Sequence, residues 1–491
     1  MALGAVETIH HRGGLEEAIY GWMRRVNKQK IIGYVLSLDL FLMLASGIAA
    51  AIFLLPPTHE FGWVVMCDLL GTAAVTIYFL QRFWAYTIPA LGAQVRQMRA
   101  LLGALVAAFV TVTGVMFLLG IDVMPYRLWL LGWMLAMLII LPTFRIVLAR
   151  LIGTAEQRGD LARRAVIVGG GKPCEDLIAR LERSGGKTIR ILGVFDDRGN
   201  DRSPDKIGAY RKIGTFSELE SYARDNYVDL LIVALPATAE DRILHLVKKL
   251  WELPIDVRIA AHASRLKLSK RAYTYIGDVP FLAVFDRPLS DWNSALKAVF
   301  DRIVALFALI ILSPIMIGTA LAVRFDSKGP IFFRQVRHGF NNELIRVFKF
   351  RSMYVEQSDY AGVKQVTKND PRVTPVGRFI RKTSIDELPQ LFNVLLGELS
   401  LVGPRPHAVS SYAGNRLYQE TVDGYYARHR MKPGITGWAQ INGWRGETDT
   451  AEKLERRVEY DLHYIENWSL LLDIYILAMT PVSLLNTENA Y

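Results

Sequence analysis

The chain has 491 residues, of which 51% are hydrophobic and 21% charged, with a formal net charge of +11. That apolar share excludes a disordered chain and an ordinary soluble enzyme, and the length allows about three domains. Two cysteines, Cys67 and Cys174, exclude a disulfide framework, and the positive charge, with no aromatic and basic groove motif, points to anionic lipid and not nucleic acid.

Four apolar stretches, at about 31–54, 61–80, 101–120 and 128–148, each offer roughly the 20 residues that a helix needs to cross a bilayer. Arg12, Arg24, Arg25, Lys28 and Lys30 precede the first stretch, Arg82, Arg96 and Arg99 follow the second, and Arg145, Arg150 and Arg158 follow the fourth. The connection at 56–60 has no Lys or Arg, and that between the third and fourth has only Arg127. This asymmetry puts both ends of a four-helix transmembrane bundle, residues 1–155 with its tail, in the cytoplasm. The polar amino-terminal segment lacks a cleavable signal pattern, so the first span is expected to double as the targeting signal. Asp39 and Asp68 fall inside spans, where an ionisable group is costly, and are expected to face the bundle interior.

Residues 160–285 read as a Rossmann-like domain. AVIV leads into Gly169, Gly170 and Gly171, then a helix, and further strands are predicted near 191–197 and 228–236. The dinucleotide fingerprint is incomplete, because Cys174 stands where a third glycine would pack, although Asp196 is placed to touch a ribose. No Tyr-x-x-x-Lys occurs between 160 and 288, so a regulatory or assembly role is expected, with a nucleotide-sugar oxidoreductase as the alternative. A polar linker at 286–293 closes this domain.

The last region, 293–491, opens on an apolar helix interrupted by Ser313 and Pro314, where proline removes a backbone hydrogen bond. A re-entrant hairpin over about 296–324 is expected, against a fifth ordinary span. The strand that follows puts Lys349 and Arg351 on one face, with Phe348 and Phe350 on the other. In RKTSIDELPQLFNVLLGELSLVGPRP (381–406), adjacent Asp386 and Glu387 lie among Arg381, Lys382 and Arg405, a set suited to a phosphate ester and a divalent cation. The same residues also read as a capping box of Ser384 with Glu387, ahead of a helix ended by Gly397. Proline on both sides stiffens the presentation of Arg405. If extended, the segment after Gly437 turns Trp438, Gln440 and Asn442 to one face, suited to a base or sugar; edge packing of Trp438 is the alternative. A final apolar stretch at 470–482, broken by Asp473, is expected to lie in the membrane interface.

KFRSM (349–353), TSIDELPQLFNVLLGELSLVGPRP (383–406) and KPGITGWAQINGWRGE (432–447) together resemble the bacterial sugar transferase family, the monotopic phosphoglycosyl transferases that begin exopolysaccharide and O-antigen assembly. With its four spans and Rossmann-like insert, the whole chain is similar to the large subclass: membrane α plus α/β. The resemblance implies that Asp386 is a nucleophile attacking the sugar-bearing phosphate of a UDP-sugar, that Glu387 binds Mg2+, and that Lys349, Arg381 and Arg405 organise phosphates, with Arg351 a further candidate. UMP leaves, and undecaprenyl phosphate takes the hexose 1-phosphate. Glucose is the expected sugar, with galactose or an N-acetylhexosamine as alternatives; a non-catalytic scaffold for polysaccharide assembly is the rival from another class. The implied setting is the cytoplasmic face of the bacterial inner membrane, among its lipids, and a homodimer is compatible with it.

Overall fold

The computed structural model describes residues 28–55, 62–183, 189–198, 206–226, 228–235, 250–260, 273–276, 279–355, 370–408, 412–413, 416–422, 424–446 and 450–485, with Ile243 and Leu246 at isolated positions. Arg12, Arg24, Arg25 and the 56–60 connection lie outside the described residues. The chain forms two compact units, one running to Ala162 and taking in Ser290–Val299, the other holding Arg163–Gly185, Ile191–Leu289 and Phe300–Tyr491.

The first unit consists of α1 (Lys28–Leu54), α2 (Trp63–Arg82), the short α3 (Ile88–Gly92), α4 (Gln94–Leu118) and α5 (Arg127–Gln157). The four longer helices are each long and apolar enough to cross a membrane. Met43, Leu69, Ala104, Trp129 and Trp133 fill one shared core, while Phe53, Phe117, Leu118 and Ile139 stand exposed. Helices that are apolar on both faces have no aqueous side and suit a lipid surround. The stacked Trp129 and Trp133 satisfy their indole N–H groups by donating to the carbonyls of Gly47 (3.0 Å) and Met43 (3.1 Å). Gly47 permits this packing, since a Cβ there would lie 2.2 Å from Leu69.

Asp39 does face the interior, and it has a partner that the charge pattern concealed. Arg145 lies within α5, not in a flanking loop, and its buried guanidinium bonds the Asp39 carboxylate. The Tyr86 hydroxyl donates to the same carboxylate at 2.8 Å, and the Tyr86 ring packs on Trp292 with centroids 4.8 Å apart. Desolvated charges need such pairing, because breaking one partner away leaves the other uncompensated. Asp68 is buried as well, one turn before Thr72 and two before Thr76 on α2.

In the second unit, an eight-stranded sheet has the order β3-β4-β2-β1-β5-β6-β8-β7, where β1 is Arg163–Val168, β2 Ile189–Phe195, β3 Lys206–Ile207, β4 Tyr210–Gly214, β5 Leu230–Val233, β6 Asp256–Ala260, β7 Tyr273–Ile276 and β8 Val279–Phe285. β1, β5 and β6 run parallel, with Ala165 opposite Leu230 and Leu230 opposite Asp256. The strand order turns at β1, so the turn after it, Gly169 to Gly171, sits where such sheets hold ligands. Gly169 takes φ +102° and leads into α6 (Lys172–Arg183), whose Cys174 is fully buried against the sheet in place of a glycine. α7 (Phe216–Asp225) follows β4.

The helix α8 (Asp291–Asp326) continues for 36 residues, and the break expected at Ser313 and Pro314 does not interrupt it. Pro314 has no N–H for the Ile310 carbonyl one turn back, and the Ser313 hydroxyl donates to that carbonyl instead, at 2.8 Å. Both arms of α8 are fastened within the same unit. Asp301 accepts from the Ser400 hydroxyl at 2.6 Å, and the carbonyls of Val323, Ser327 and Lys328 accept from Arg351. A hairpin of β9 (Phe332–His338) and β10 (Leu344–Phe350) comes next, then α9 (Pro375–Lys382) and α10 (Gln390–Leu396). Gly397, at φ +81°, ends α10. The strand Ser400–Val402 pairs in parallel with Gly434–Thr436, and the helices Ala451–Glu466 and Leu470–Leu485 close the chain. Asp473, which interrupts the last apolar run, is buried and bonded by the Tyr464 hydroxyl and the Trp468 indole.

Candidate active site

Asp386 and Glu387 occupy a short 3-10 turn, Ile385–Glu387, between α9 and α10. Ser384 before it adopts a left-handed conformation, φ 58° and ψ 17°, and makes no side-chain cap, so the expected capping box does not form. Its hydroxyl is held from elsewhere, by Arg445 at 2.5 Å. The Glu387 side chain is then free to turn toward cations. Oε1 accepts from Lys349 Nζ at 2.8 Å and from Arg405 at 2.6 Å, and Oε2 accepts from Arg405 at 3.2 Å. This is a bidentate guanidinium pair reinforced by an ammonium, the strong form of a carboxylate contact.

Each partner is placed by its local backbone. Lys349 stands on β10 opposite Phe333 of β9. Arg405 follows the clamp in which Gly403 donates to Thr436 O at 2.9 Å and Gly434 donates to Pro404 O at 3.0 Å. A Cβ at Gly403 would lie 2.5 Å from Lys432 O, so only glycine allows this approach. Arg381 ends α9, and its charge acts on Asp386.

The two carboxylates are electrostatically unequal. Burial raises the Asp386 carboxyl to about 6; Lys349 opposes this, adjacent Glu387 adds to it, and Arg381 and Arg405 oppose it. Burial would raise Glu387 too, but Arg405 and Lys349 outweigh it and hold Glu387 well below the usual carboxylate range. Asp386 itself has no side-chain hydrogen bond among the described residues and is 8% exposed. One carboxylate is thus spent on the cations, while its neighbour lies in their field with its oxygens open. That is the arrangement of a nucleophile beside a phosphate cradle.

Other candidates end up elsewhere. β10 stops at Phe350, so alternation no longer governs Arg351, whose guanidinium bonds Ser327 O (2.6 Å) and Lys328 O (2.8 Å) at the carboxyl end of α8. It caps that helix, where a cation suits the negative pole, and does not join the carboxylate pair. Trp438, Gln440 and Asn442 do not share an extended face, because Trp438–Ile441 is a helical turn. Trp438 stacks on His463 with centroids 6.0 Å apart, Gln440 is buried, and Asn442 donates back to Trp438 O at 2.8 Å. The edge-packing alternative describes Trp438.

Sequence reasoning missed two arginines. Burial, together with the charge of Arg405, pushes the Arg337 guanidinium down to about 10, and it donates to Pro406 O at 2.5 Å. Arg445 feels the charges of Arg405, Glu387 and Asp386. The only signal for Arg445 was its place in the NGWRGE motif.

Among the described residues no three His, Cys, Asp or Glu side chains gather as a metal site. A divalent cation here would have Asp386 and Glu387 as its protein carboxylates, and one or two carboxylates plus substrate phosphates is a set that suits Mg2+. Asp386 offers open oxygens, whereas Glu387 would have to yield a contact with Lys349 or Arg405.

Residues 292–487 match the family described as bacterial sugar transferase, and residues 83–261 match one described as CoA-binding domain. The chain is 40% identical over 362 residues to an undecaprenyl-phosphate glucose phosphotransferase of Komagataeibacter xylinus, covering 73% of this chain and 66% of that protein. It is 40% identical over 359 residues to a UDP-glucose:undecaprenyl-phosphate glucose-1-phosphate transferase of Klebsiella pneumoniae, covering 73% and 76%. A protein of the same description from Escherichia coli K12 is 42% identical over 293 residues, covering 60% and 61%. The alignments therefore span about two thirds of these relatives' own lengths. The glycine turn does not fit a nucleotide cofactor: Arg198 bonds both oxygens of Asp196, at 3.1 and 3.0 Å, and reaches Gly170 O at 2.5 Å, which uses the carboxylate and the carbonyl that a ribose and pyrophosphate would meet.

Proposed function

The chain belongs to the bacterial sugar transferase family, and on that premise we propose that it transfers glucose 1-phosphate from UDP-glucose to undecaprenyl phosphate, releasing UMP. The observation that carries this reading is the division of labour between the two carboxylates. Glu387 is locked to Lys349 and Arg405, and Asp386 is left open beside them.

Asp386, ionised, attacks the sugar-bearing phosphorus; the bond from that phosphorus to the bridging oxygen breaks, and UMP departs with the electron pair. A phosphate oxygen of undecaprenyl phosphate then attacks the same phosphorus, and Asp386 leaves as a carboxylate, so no net proton is needed. Lys349, Arg381 and Arg405 hold the diphosphate and offset the charge that develops on its oxygens. Mg2+, held by Asp386 and Glu387, would add charge neutralisation to the same oxygens.

The membrane setting belongs to the same proposal. α8 re-enters the cytoplasmic face of the inner membrane by bending at Ser313 and Pro314, which the attachment of Asp301 and Val323 to one unit supports. The first unit spans the bilayer with both ends cytoplasmic, as its Lys and Arg asymmetry favours. A soluble nucleotide sugar and a long-chain lipid phosphate then meet at one interface. The test is incubation of nanodisc-embedded protein with UDP-glucose, undecaprenyl phosphate and Mg2+, with UDP-galactose and UDP-N-acetylgalactosamine as competing donors. UMP release, highest with UDP-glucose, supports the reading; UDP release means glycosyl transfer and overturns it.

A further inference from the structure

Behind the carboxylate pair lies buried charge that the transfer chemistry does not use. The 3-10 turn Tyr425–Arg430 carries Arg428, which is fully buried. Its guanidinium bonds Asp461 at 2.6 Å, His407 Nδ1 at 2.5 Å and the backbone carbonyl of Arg405 at 2.7 Å. Burial, with the charges of Arg428 and Arg457 next, holds His407 well below its usual range, so the ring stays neutral and can accept. The other side of the same turn meets the middle domain. Arg224 of α7 lies over the Tyr426 ring, 5.2 Å from its centroid, and a Cβ at Gly424, φ +76°, would lie 2.5 Å from the Trp251 ring.

Pro404 and Pro406 restrict the torsions around Arg405, so the position of its peptide group decides where its guanidinium points. Two side chains fix that peptide from behind: Arg428 on Arg405 O and Arg337 on Pro406 O. We infer that the turn Tyr425–Arg430 is the positioning element of the phosphate site: Arg428 sets where Arg405 stands, and the middle domain braces the turn through Arg224 on Tyr426. Arg428 touches no substrate and acts through Arg405. The inference rests on the reading of Arg405 as a phosphate ligand, and it gives the middle domain a task that needs no nucleotide of its own.

The test uses full-length protein in nanodiscs. Arg428→Lys keeps a cation beside Asp461 but loses the planar fork that also reaches Arg405 O. A displacement of about an ångström at the site lowers turnover about a hundredfold, so UMP release falls by that order in the parent background and by less than about twofold in an Arg405→Ala background. A loss of equal factor in both backgrounds means a general structural role and overturns the inference. Arg224→Ala leaves the catalytic fold untouched and carries the test if Arg428→Lys does not fold. It is expected to cost about three- to tenfold, again only when Arg405 is present, and to speed amide hydrogen exchange in residues 400–408. Unchanged exchange and unchanged turnover in Arg224→Ala overturn the role of the middle domain. If the parent releases no UMP, the transfer reading fails, while the exchange comparison still decides the inference.

Discussion

Asp196 in the middle domain and Asp386 in the catalytic domain are both buried carboxylates beside a tight turn, and the sequence marks both as ligand-facing. Their wiring differs. Asp196 accepts from the Arg198 backbone at 3.2 Å and from its guanidinium, which continues to Gly170 O, so the glycine turn is closed by its own arginine. Asp386 is denied such a partner because Glu387, one residue on, has taken Lys349 and Arg405. A motif nominates a carboxylate; whether the nearby cations are bound to it or to its neighbour decides if it has anything left for a ligand.

The sharpest way to break this contrast is Asp386→Asn. UMP release is expected to fall at least about a thousandfold, while the fold gains stability. The sign follows from the folded-state value of about 6 against 3.8: ionising Asp386 costs the folded state increasingly as pH rises from about 4 to 6, and the cost is complete above that. Removing the charge therefore adds on the order of 2–3 kcal/mol at pH 7.5 and almost nothing at pH 4, measurable as thermal midpoints at the two pH values. A variant no more stable than its parent at pH 7.5 would remove the electrostatic half of the account.

The same raised value shapes the rate. Turnover should decline about tenfold per pH unit below about 6 and level off above 7, as the attacking carboxylate is protonated. A flat profile down to pH 4.5 detaches Asp386 from the attack.

Arg351→Met sharpens the difference between a cation that serves substrate and one that serves a helix end. It leaves the carbonyls of Ser327 and Lys328 without their donor and should cost about 1–3 kcal/mol of stability in denaturant titration, with turnover per folded molecule within about threefold of the parent. The smallest effect belongs to the closed carboxylate. Asp196→Asn should change turnover by less than about twofold and stability by about 1 kcal/mol, since Arg198 is partly exposed. A large kinetic loss from Asp196→Asn would make the two carboxylates functionally alike.

Much of the fold was legible where the signal is local. Apolar runs and turn residues located α1, α2, α4 and α5, and Gly397 ended α10 as its position suggested. The misreadings share a physical origin, contacts made far along the chain. Arg145 reads as a flanking cation until Asp39, 106 residues away, meets it inside the apolar core. Ser384 reads as a helix cap until Arg445, 61 residues away, claims its hydroxyl. Arg337 gave no sequence signal, because its partner is the carbonyl of Pro406, 69 residues on. Strand alternation stopped applying to Arg351 one residue past the end of β10. The pair Asp386 and Glu387 was legible as a pair, but their inequality was not, since it depends on which oxygens Lys349 and Arg405 reach.

The central claim, that Asp386 is the nucleophile, is tested most directly by mass spectrometry of the protein after incubation with UDP-glucose and Mg2+ in the absence of lipid acceptor. The account predicts release of about one UMP per active site and a hexose phosphate on the peptide that carries Asp386, absent from Asp386→Asn and discharged when undecaprenyl phosphate is added. UMP release that requires the acceptor from the outset, with no adduct on that peptide, would mean direct transfer between the two substrates and would contradict it.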